Sequence, residues 1–495
     1  MTPTRSLREV FTVATFALAP DWLTVPVDAN ALDAAIWPRN AARTAAGQIS
    51  IAGVPASELA AQFGTPLYVF DEDDARARAL HMRETFEAAF AAIGTTVSVY
   101  YAGKAFLSTA VVGWVRDAAL RVDVCSGGEL AVALAGGADP AELGFHGNNK
   151  SLAEIERAVS VGLGTIVIDS VFEIERVANA ARRHGRVQAV RLRVNSGVHA
   201  HTHEFLATSH EDQKFGITLS EAPALVAQIR SHDSLDFRGL HCHIGSQIFD
   251  AGGFAESASR LLAVHAELLA DGPVPELNLG GGFGIAYTAS DTPTALEVLA
   301  EGMATAVAQE CARLSIPVPH IAIEPGRSII GPAGVTLYEV GTTKQVTVPE
   351  SARNADDDVT RFYVSVDGGM SDNARPALYG ADYTVRIANR ASEASARLVR
   401  VAGKHCESGD IVVDADYLPH DVEPGDLLAV AATGAYCFSL SSNYNYVGRP
   451  PVVAVRDGIA RVIVRGETED DLLSRDTGIA GDTRILPTNI EENTR

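Results

Sequence analysis

From Val97 onward the chain repeats one unit: a short β-branched or apolar run, a small or polar turn, then a helix-like stretch. The runs are VSVYY at 97, RVDVC at 121, LGFHG at 143, TIVID at 165, QAVRLRVN at 188, FRGLHCHIG at 237, ELNLG at 276 and HIAIEPG at 320. Between them lie alanine-rich segments such as SLAEIERAVSVGLG and SVFEIERVANAARRHG. These carry apolar residues three and four apart and a glycine near the end, the mark of an amphipathic helix. Eight such units predict a (β/α)8 barrel, the parallel alternative being an open doubly wound sheet. LYVFDED at 67 reads as a strand leading into it, so the barrel domain is expected over residues 66–332.

Beyond residue 332 the pattern changes to all-β, so the whole chain reads as α/β plus all-β. GVTLYEVG, RFYVSVDGG, ARLVRVAG, DIVVDADYLP, DLLAVAATGAY and PPVVAVRDGIARVIVRGE are short strands with no helices between them. Asp457-Gly458 separates two alternating runs, a hairpin signal. A C-terminal β-sandwich or β-barrel domain is expected over 333–465, joined by residues 31–65, which can bring a strand into it. Residues 1–30 read as a loosely packed extension and 466–495 as a polar, poorly ordered tail.

Composition narrows the partners. The 495 residues exceed one ordinary core, and 47% hydrophobic with 21% charged residues describes a globular chain. Sixty-two acidic against 40 basic residues, a net charge of −22, argues against a nucleic-acid or anionic-membrane partner. Cys125, Cys242, Cys311, Cys406 and Cys437 are odd in number and never form a CxxC pair. That suggests a reducing, cytoplasmic compartment and no zinc knuckle. FTVATFALAP, behind Arg5 and Arg8, faintly resembles a secretory core but is short, and export is not expected. No stretch reaches the apolar length of a membrane helix.

In a (β/α)8 barrel the working residues follow the C-terminal ends of the strands. Lys104 follows the first run, CSGGEL (125–130) the second and HGNNKS (146–151) the third. HIGSQ (243–247) follows the sixth, GGGFG (280–284) the seventh and EPGRS (324–328) the eighth. A lysine at a strand end either snorkels to solvent or is an amine held for chemistry. Its place on a polar, glycine-rich rim favours chemistry. Gly280, Gly281 and Gly282 let backbone amides approach an anion, and Ser246 with the Arg327 amide completes a cup for one phosphate monoester. The cup lacks the signatures of a nucleotide P-loop and of a dinucleotide fold.

Glu324, at a strand end, reads either as half of a salt bridge to an arginine or as the carboxylate that keeps a ring nitrogen protonated. His241 and His243 share one strand face and, with His199, His201 and His203, raise a metal hypothesis. A metal site wants three or four convergent ligands, so no metal is expected, and His243 suits stacking on a flat ring better. A lysine amine, a phosphate cup, a carboxylate for a pyridinium and a stacking side chain together describe pyridoxal 5′-phosphate held covalently on Lys104.

On these residues the chain resembles the alanine-racemase-fold (fold-type III) pyridoxal phosphate-dependent decarboxylases, over roughly residues 50–465. The motifs are YYAGKAF, VCSGGEL, HGNNKS, HEDQKFG, HCHIGSQ, LGGGFG, EPGRSI, VDGGMSDNARPALYG, CESGD and GAYCFSLSSNYN. The resemblance implies Lys104 as the cofactor lysine and His243 as the residue stacked on the ring. It implies Ser246, Gly280, Gly281 and Gly282, with Glu324, Pro325, Gly326 and Arg327, as holders of the phosphate and ring nitrogen. Arg327, Arg375, Tyr379, Glu407 and Tyr436 would hold substrate, Tyr436 also touching the cofactor, and Cys406 would be the proton donor. It further implies a head-to-tail homodimer in which CESGD enters the neighbouring subunit's site. The implied reaction is decarboxylation of meso-2,6-diaminopimelate to L-lysine and CO2, the last step of lysine biosynthesis.

The chemistry of the residues agrees. Arg327 and Arg375 suit a carboxylate through bidentate geometry, Glu407 suits an ammonium, and a cysteine in a turn can deliver a proton to Cα. Blander readings stand beside these. Arg375 can be a loop arginine paired with Asp372, and Cys406 alone would be a small buried hydrophobe. Cys437 reads as packing, Asp123 and Glu129 as structural, and His146 as either a cofactor contact or a support. The rival functions are an ornithine- or arginine-type decarboxylase on the same fold, a racemase with a tyrosine as second base, a single-barrel cofactor carrier, and a metal-dependent barrel hydrolase.

Overall fold

The computed structural model describes residues 18–198, 214–348 and 360–478. Its first strands, β1 (Ala41–Arg43), β2 (Ile49–Ile51) and β3 (Val54–Pro55), form a small sheet of their own. That sheet leans on the second half of the chain, with Ile49 N donating to Ala388 O at 2.7 Å. Asn30 and Ser392 exchange hydrogen bonds of 2.8 and 2.9 Å, and Leu18 lines a cleft with Phe362 and Leu398. Residues 18–30, expected to be loosely packed, are therefore tied to the β domain at both ends; 1–17 lie outside the described residues. Next comes β4 (Leu67–Asp71).

The eight runs read from the sequence are the eight barrel strands. They are β5 (Val97–Ala102), β6 (Arg121–Val124), β7 (Leu143–Phe145), β8 (Thr165–Ile168) and β9 (Gln188–Asn195), followed after the two-residue β10 (Ile217–Thr218) by β11 (Leu235–His241), β12 (Glu276–Asn278) and β13 (His320–Ile323). Each pairs in parallel with its neighbour, and β13 pairs with β5, so the ring closes. β10 adds a short pairing to β9. The barrel is packed with side chains: Arg191, 1% exposed, donates to Glu276 at 2.8 Å and to the Tyr100 hydroxyl at 3.2 Å. An interior ion pair of this kind persists only when hydrogen bonds satisfy both charges. Serines start the helices that follow the strands. Ser108, Ser126 and Ser151 each accept from the amide three residues on, which shortens and stiffens the loops at the C-terminal rim.

The second domain is a mixed, mostly antiparallel sheet of β14 (Gly334–Thr347), β15 (Thr360–Val366), β16 (Val385–Ile387), β17 (Ala396–Ala402), β18 (Ile411–Pro419), β19 (Leu427–Val430), β20 (Val452–Arg456) and β21 (Ile459–Val464). The order is β18-β17-β15-β14-β4-β20-β21, with β19 also on β14 and β16 on β19. β4, read from sequence as an entry to the barrel, instead lies between β14 and β20 in this sheet. All five of its residues are buried, and a continuous apolar run fits a barrel strand or a central sheet strand equally well. The Asp457-Gly458 step joins β20 and β21 with positive φ at both residues (51° and 72°), as a two-residue hairpin requires. The tail expected to be poorly ordered from 466 begins with a helix over Glu469–Leu473, capped by Thr468. Residues 479–495 lie outside the described residues.

Candidate active site

The C-terminal ends of the barrel strands enclose a cavity of about 340 Å³. Lys104 enters it from a single 3₁₀ turn, Gly103–Ala105, directly after β5. The turn is clamped from three sides. Ala102 N donates to Pro325 O at 2.9 Å, while Ala105 O accepts from Tyr436 N at 2.7 Å and from Ser439 Oγ at 3.0 Å. A Cβ on Gly103 would meet Asp123 O at 2.8 Å, so only glycine lets the turn close on β6. The backbone around Lys104 is buried while its side chain is accessible, pointing into the cavity. Burial disfavours its charge, but Tyr436, Cys125 and Glu324 outweigh that and hold the ammonium above its ordinary range.

Glu324 also lines this cavity and gathers hydrogen bonds. Oε2 accepts from His241 Nε2 at 3.1 Å and Oε1 from Asn278 Nδ2 at 2.6 Å, with His146 Nε2 3.4 Å away. Burial alone would raise its pKa; His146 and His241 outweigh it and hold the carboxyl well below the usual carboxylate range. Burial pushes His241 down to about 4, so its ring is neutral at pH 7. His146 lies 3.2 Å from Asp123 Oδ1, whose carboxyl is raised by burial. His146 and Asp123 thus stand beside Glu324. His243 lines the same cavity, its Nδ1 accepting from Gly281 N at 3.2 Å; burial and Lys104 keep its imidazole neutral.

The glycine run packs where side chains cannot. Gly280 and Gly282 have φ of 70° and 107°, and a Cβ would meet Cys242 O at 2.4 Å and Gly245 O at 2.2 Å. At Gly281 it would meet Glu324 O at 2.0 Å. This draws the HIGSQ and EPGRS loops against the run, with Ser246 beside Arg327: Arg327 Nη2 donates to Ser246 Oγ at 2.8 Å. Among the described residues, none of the backbone hydrogen bonds that tie these loops uses the amide of Gly282, Gly326 or Arg327. Pro325 and Gly326 are buried behind the Lys104 turn.

Arg327 and Arg375 meet a set of tyrosines. Arg327 Nη1 donates to the Tyr287 hydroxyl, and its guanidinium lies 4.6 Å from the Tyr436 ring centroid. Arg375 donates to the Tyr383 hydroxyl and lies 4.5 Å from the Tyr287 centroid. Both arginines are buried, and neither has a carboxylate partner among the described residues. Asp372, the partner a loop arginine would take, is instead bound to the Tyr338 hydroxyl and Gly369 N. Tyr287 and Tyr383 went unread in the sequence. A tyrosine in GGGFGIAY, just past the glycine run, was the available signal.

Two predicted substrate residues and the predicted proton donor are exposed and do not line the cavity. Tyr379 is 39% exposed at the end of the short helix Arg375–Tyr379. Cys406 and Glu407 are exposed on the turn between β17 and β18, and none of the three lines the Lys104 cavity. Other motifs act on the loops. In CSGGEL, Glu129 Oε2 accepts from Cys125 N at 2.6 Å, and burial with Glu129 pushes the Cys125 thiol up to about 12. In HGNNKS, buried Lys150 donates to Gly147 O, Val167 O and Glu173, fixing the loop beside His146. Arg193, unremarked in the sequence, also lines the cavity, 4.3 Å from the Phe215 ring centroid. HAHTHEF lies outside the described residues. Among the described residues, His146, His241 and Glu324 bring one ligand-type atom each within 4.8 Å of one another.

A closed parallel barrel with a lysine after its first strand, an ionised carboxylate after the strand beside it, a glycine cradle after the next, and a β domain against its rim define a pyridoxal-dependent decarboxylase. The family model for the "Pyridoxal-dependent decarboxylase, pyridoxal binding domain" matches residues 79–331. Among curated proteins, the diaminopimelate decarboxylase of Mycobacterium tuberculosis is 50% identical over 447 residues, 89% of this chain and 97% of its own. That of Bacillus subtilis is 42% identical over 87% of this chain and 95% of its own. Among solved structures, diaminopimelate decarboxylase from M. jannaschii in complex with L-lysine superimposes with a TM-score of 0.80 at 29% identity, over 89% of this chain and 98% of that one. The chain belongs to the diaminopimelate decarboxylase family.

Proposed function

We propose that this chain decarboxylates meso-2,6-diaminopimelate to L-lysine and CO2, the last step of lysine biosynthesis, with pyridoxal 5′-phosphate as its cofactor on Lys104. One observation carries the substrate choice. Arg327 and Arg375 are buried guanidiniums without a carboxylate partner among the described residues. A site for ornithine or arginine has no use for two uncompensated cations, whereas a second substrate carboxylate supplies the missing charge.

The residues fit the cofactor. The space a Cβ would fill at Gly280, Gly281 and Gly282, with Ser246 and the 325–327 backbone, suits a phosphate. Glu324 is anchored by His241 and Asn278 and stays ionised, so it can keep a proton on a ring nitrogen. Neutral His243 offers a flat face for stacking, and Tyr436 stands next to the Lys104 turn. Once bound, the cofactor supplies an electron sink for the pair left at Cα when CO2 departs. The chain does the rest. Arg327 and Arg375 bind the carboxylate remote from the reacting carbon, and Glu407 takes the remote ammonium. Cys406 Sγ–H gives its proton to Cα in place of the lost carboxyl group.

Cys406, Glu407 and Tyr379 are exposed, whereas Arg327 and Arg375 are buried, which supports a homodimer whose sites are completed across the interface. Five free thiols suit a reducing, cytoplasmic compartment, and among the described residues no helix is long and apolar enough to cross a membrane. The test supplies purified protein with pyridoxal 5′-phosphate and measures CO2 and L-lysine. With diaminopimelate, kcat/KM is expected at least about 100-fold above that with ornithine or arginine. Borohydride reduction and peptide mapping are expected to mark Lys104. Comparable turnover of ornithine overturns the substrate. A colourless protein with no mark overturns the cofactor and leaves the His146–His241–Glu324 group as a metal site.

A further inference from the structure

The turn that carries Cys406 and Glu407 hangs on one buried carboxylate. Asp410, 2% exposed, accepts from Met370 N at 2.6 Å and from His405 N at 2.7 Å, and His405 Nδ1 lies 3.0 Å from its Oδ2. Its carbonyl accepts from Gly403 N at 2.9 Å. A Cβ on Gly403 would lie 2.2 Å from that carboxylate, and one on Gly369 2.5 Å from it, so both positions are kept bare for Asp410. His405 is buried and stacked on Tyr444, centroids 5.5 Å apart and planes within 9°. Next to it, Cys406 N donates to Asn445 Oδ1 at 3.1 Å.

The Asp410 carboxyl oxygens already accept from two backbone amides, so the contact with His405 is read as Nδ1–H donating to Oδ2. His405 Nε2 then remains buried without a hydrogen-bond partner among the described residues. A leucine would stack on Tyr444 without orphaning a nitrogen, so packing does not explain the ring; its Nδ1–H does. Met370 belongs to the turn that leads into Arg375, so the same carboxylate joins the donor turn to the arginine segment.

We propose that His405 and Asp410 are a positioning pair: they set Cys406 Sγ for proton delivery to Cα and lock the donor turn to the segment bearing Arg375. This rests on the reading of Cys406 as the donor. A misplaced thiol leaves the proton to add at the cofactor's aldehyde carbon instead of Cα. Hydrolysis by one water then gives pyridoxamine 5′-phosphate and a carbonyl product in place of L-lysine.

The experiment measures that partition in the full-length, cofactor-loaded enzyme. With His405→Leu, the fraction of turnovers ending in pyridoxamine 5′-phosphate is expected to rise at least about tenfold and kcat to fall about tenfold, with KM little changed. Cys406→Ala shifts it at least as far. His405→Asn, whose amide N–H can stand in for Nδ1–H, returns the partition to within about threefold of wild type. A merely structural role would lower the yield of folded enzyme without moving the partition. A wild-type partition in His405→Leu beside a shifted one in Cys406→Ala overturns the pair and keeps the donor. An unshifted Cys406→Ala overturns both. If His405→Leu does not fold, Asp410→Asn takes its place: a shifted partition supports the pair and an unshifted one overturns it.

Discussion

Replacing Arg375 by methionine should damage catalysis while leaving the free protein as stable as before, or more so. Arg375 is 4% exposed, with no carboxylate partner among the described residues. A buried, uncompensated cation costs several kcal/mol of desolvation. Offsetting this are the hydrogen bond to Tyr383 and cation–π contacts with Tyr287 and Tyr383, at 4.5 and 5.4 Å. At about 1.5–3 kcal/mol for the former and ~0.5–2 for each of the latter, the two sides nearly cancel. Methionine keeps the volume and removes both. The Tyr383 hydroxyl retains Cys437 Sγ at 3.5 Å, so it is not orphaned.

The substrate loses more. A bidentate guanidinium–carboxylate contact comprises two charge-assisted hydrogen bonds, together about 3–6 kcal/mol, or about 10²- to 10⁴-fold in kcat/KM. The assay pairs lysine formation from diaminopimelate with melting of the substrate-free, cofactor-loaded enzyme. The expected result is a loss of at least about 100-fold with Tm within ~2 °C of wild type or above it. A Tm several degrees lower with kcat/KM preserved within about tenfold would show that Arg375 is structural, and the charge argument for the substrate would fail with it.

Other perturbations test separate parts. Mixing Lys104→Ala with Cys406→Ala, each deficient in lysine formation alone, should restore about 25% of wild-type sites if sites are shared in a dimer, and none if each chain is self-sufficient; subunit exchange followed by measurement of lysine formation decides. Asp372, raised to about 7 chiefly by burial, binds its proton more tightly folded than unfolded, so stability falls as pH rises from about 4 to 7 and then levels off. Asp372→Asn removes that slope, and its Tm relative to wild type should climb between pH 5 and 8; a constant difference refutes the shift. Lys150→Met strands buried Glu173 and should cost about 3–5 kcal/mol, most of it recovered in Lys150→Met/Glu173→Leu, as thermal melts of the two variants will show.

The barrel was legible because each of its strands is a short apolar run bounded by glycine, polar turns and a helix with its own spacing. β4 was not, since LYVFD carries no alternation and only its partners β14 and β20, far along the chain, decide its sheet. Lys104, Glu324 and the glycine run were legible from their places at strand ends. The sequence could not say that Arg375 lacks a carboxylate, because Asp372, three residues away, is turned toward Tyr338. Nor could it pair Arg375 with Tyr287, which comes from a barrel loop. Nor could it place Asp123 and His146 beside Glu324: that nearness exists only once β6, β7 and β13 close the ring.

The two poles of the site belong to different parts of the fold, and this bears on specificity. The Lys104–Glu324 pole is built inside the barrel, from strand ends held by the ring itself. The cationic pole is built across the seam between domains. Arg327 and Tyr287 come from barrel loops, while Arg375, Tyr383 and Tyr436 come from the β domain. Thr384 Oγ1 donates to Tyr287 O at 2.9 Å, stitching the seam beside the arginines. On the proposed reading, recognition of a second carboxylate therefore depends on both domains, and the spacing between the poles is set by how the domains pack rather than by either one.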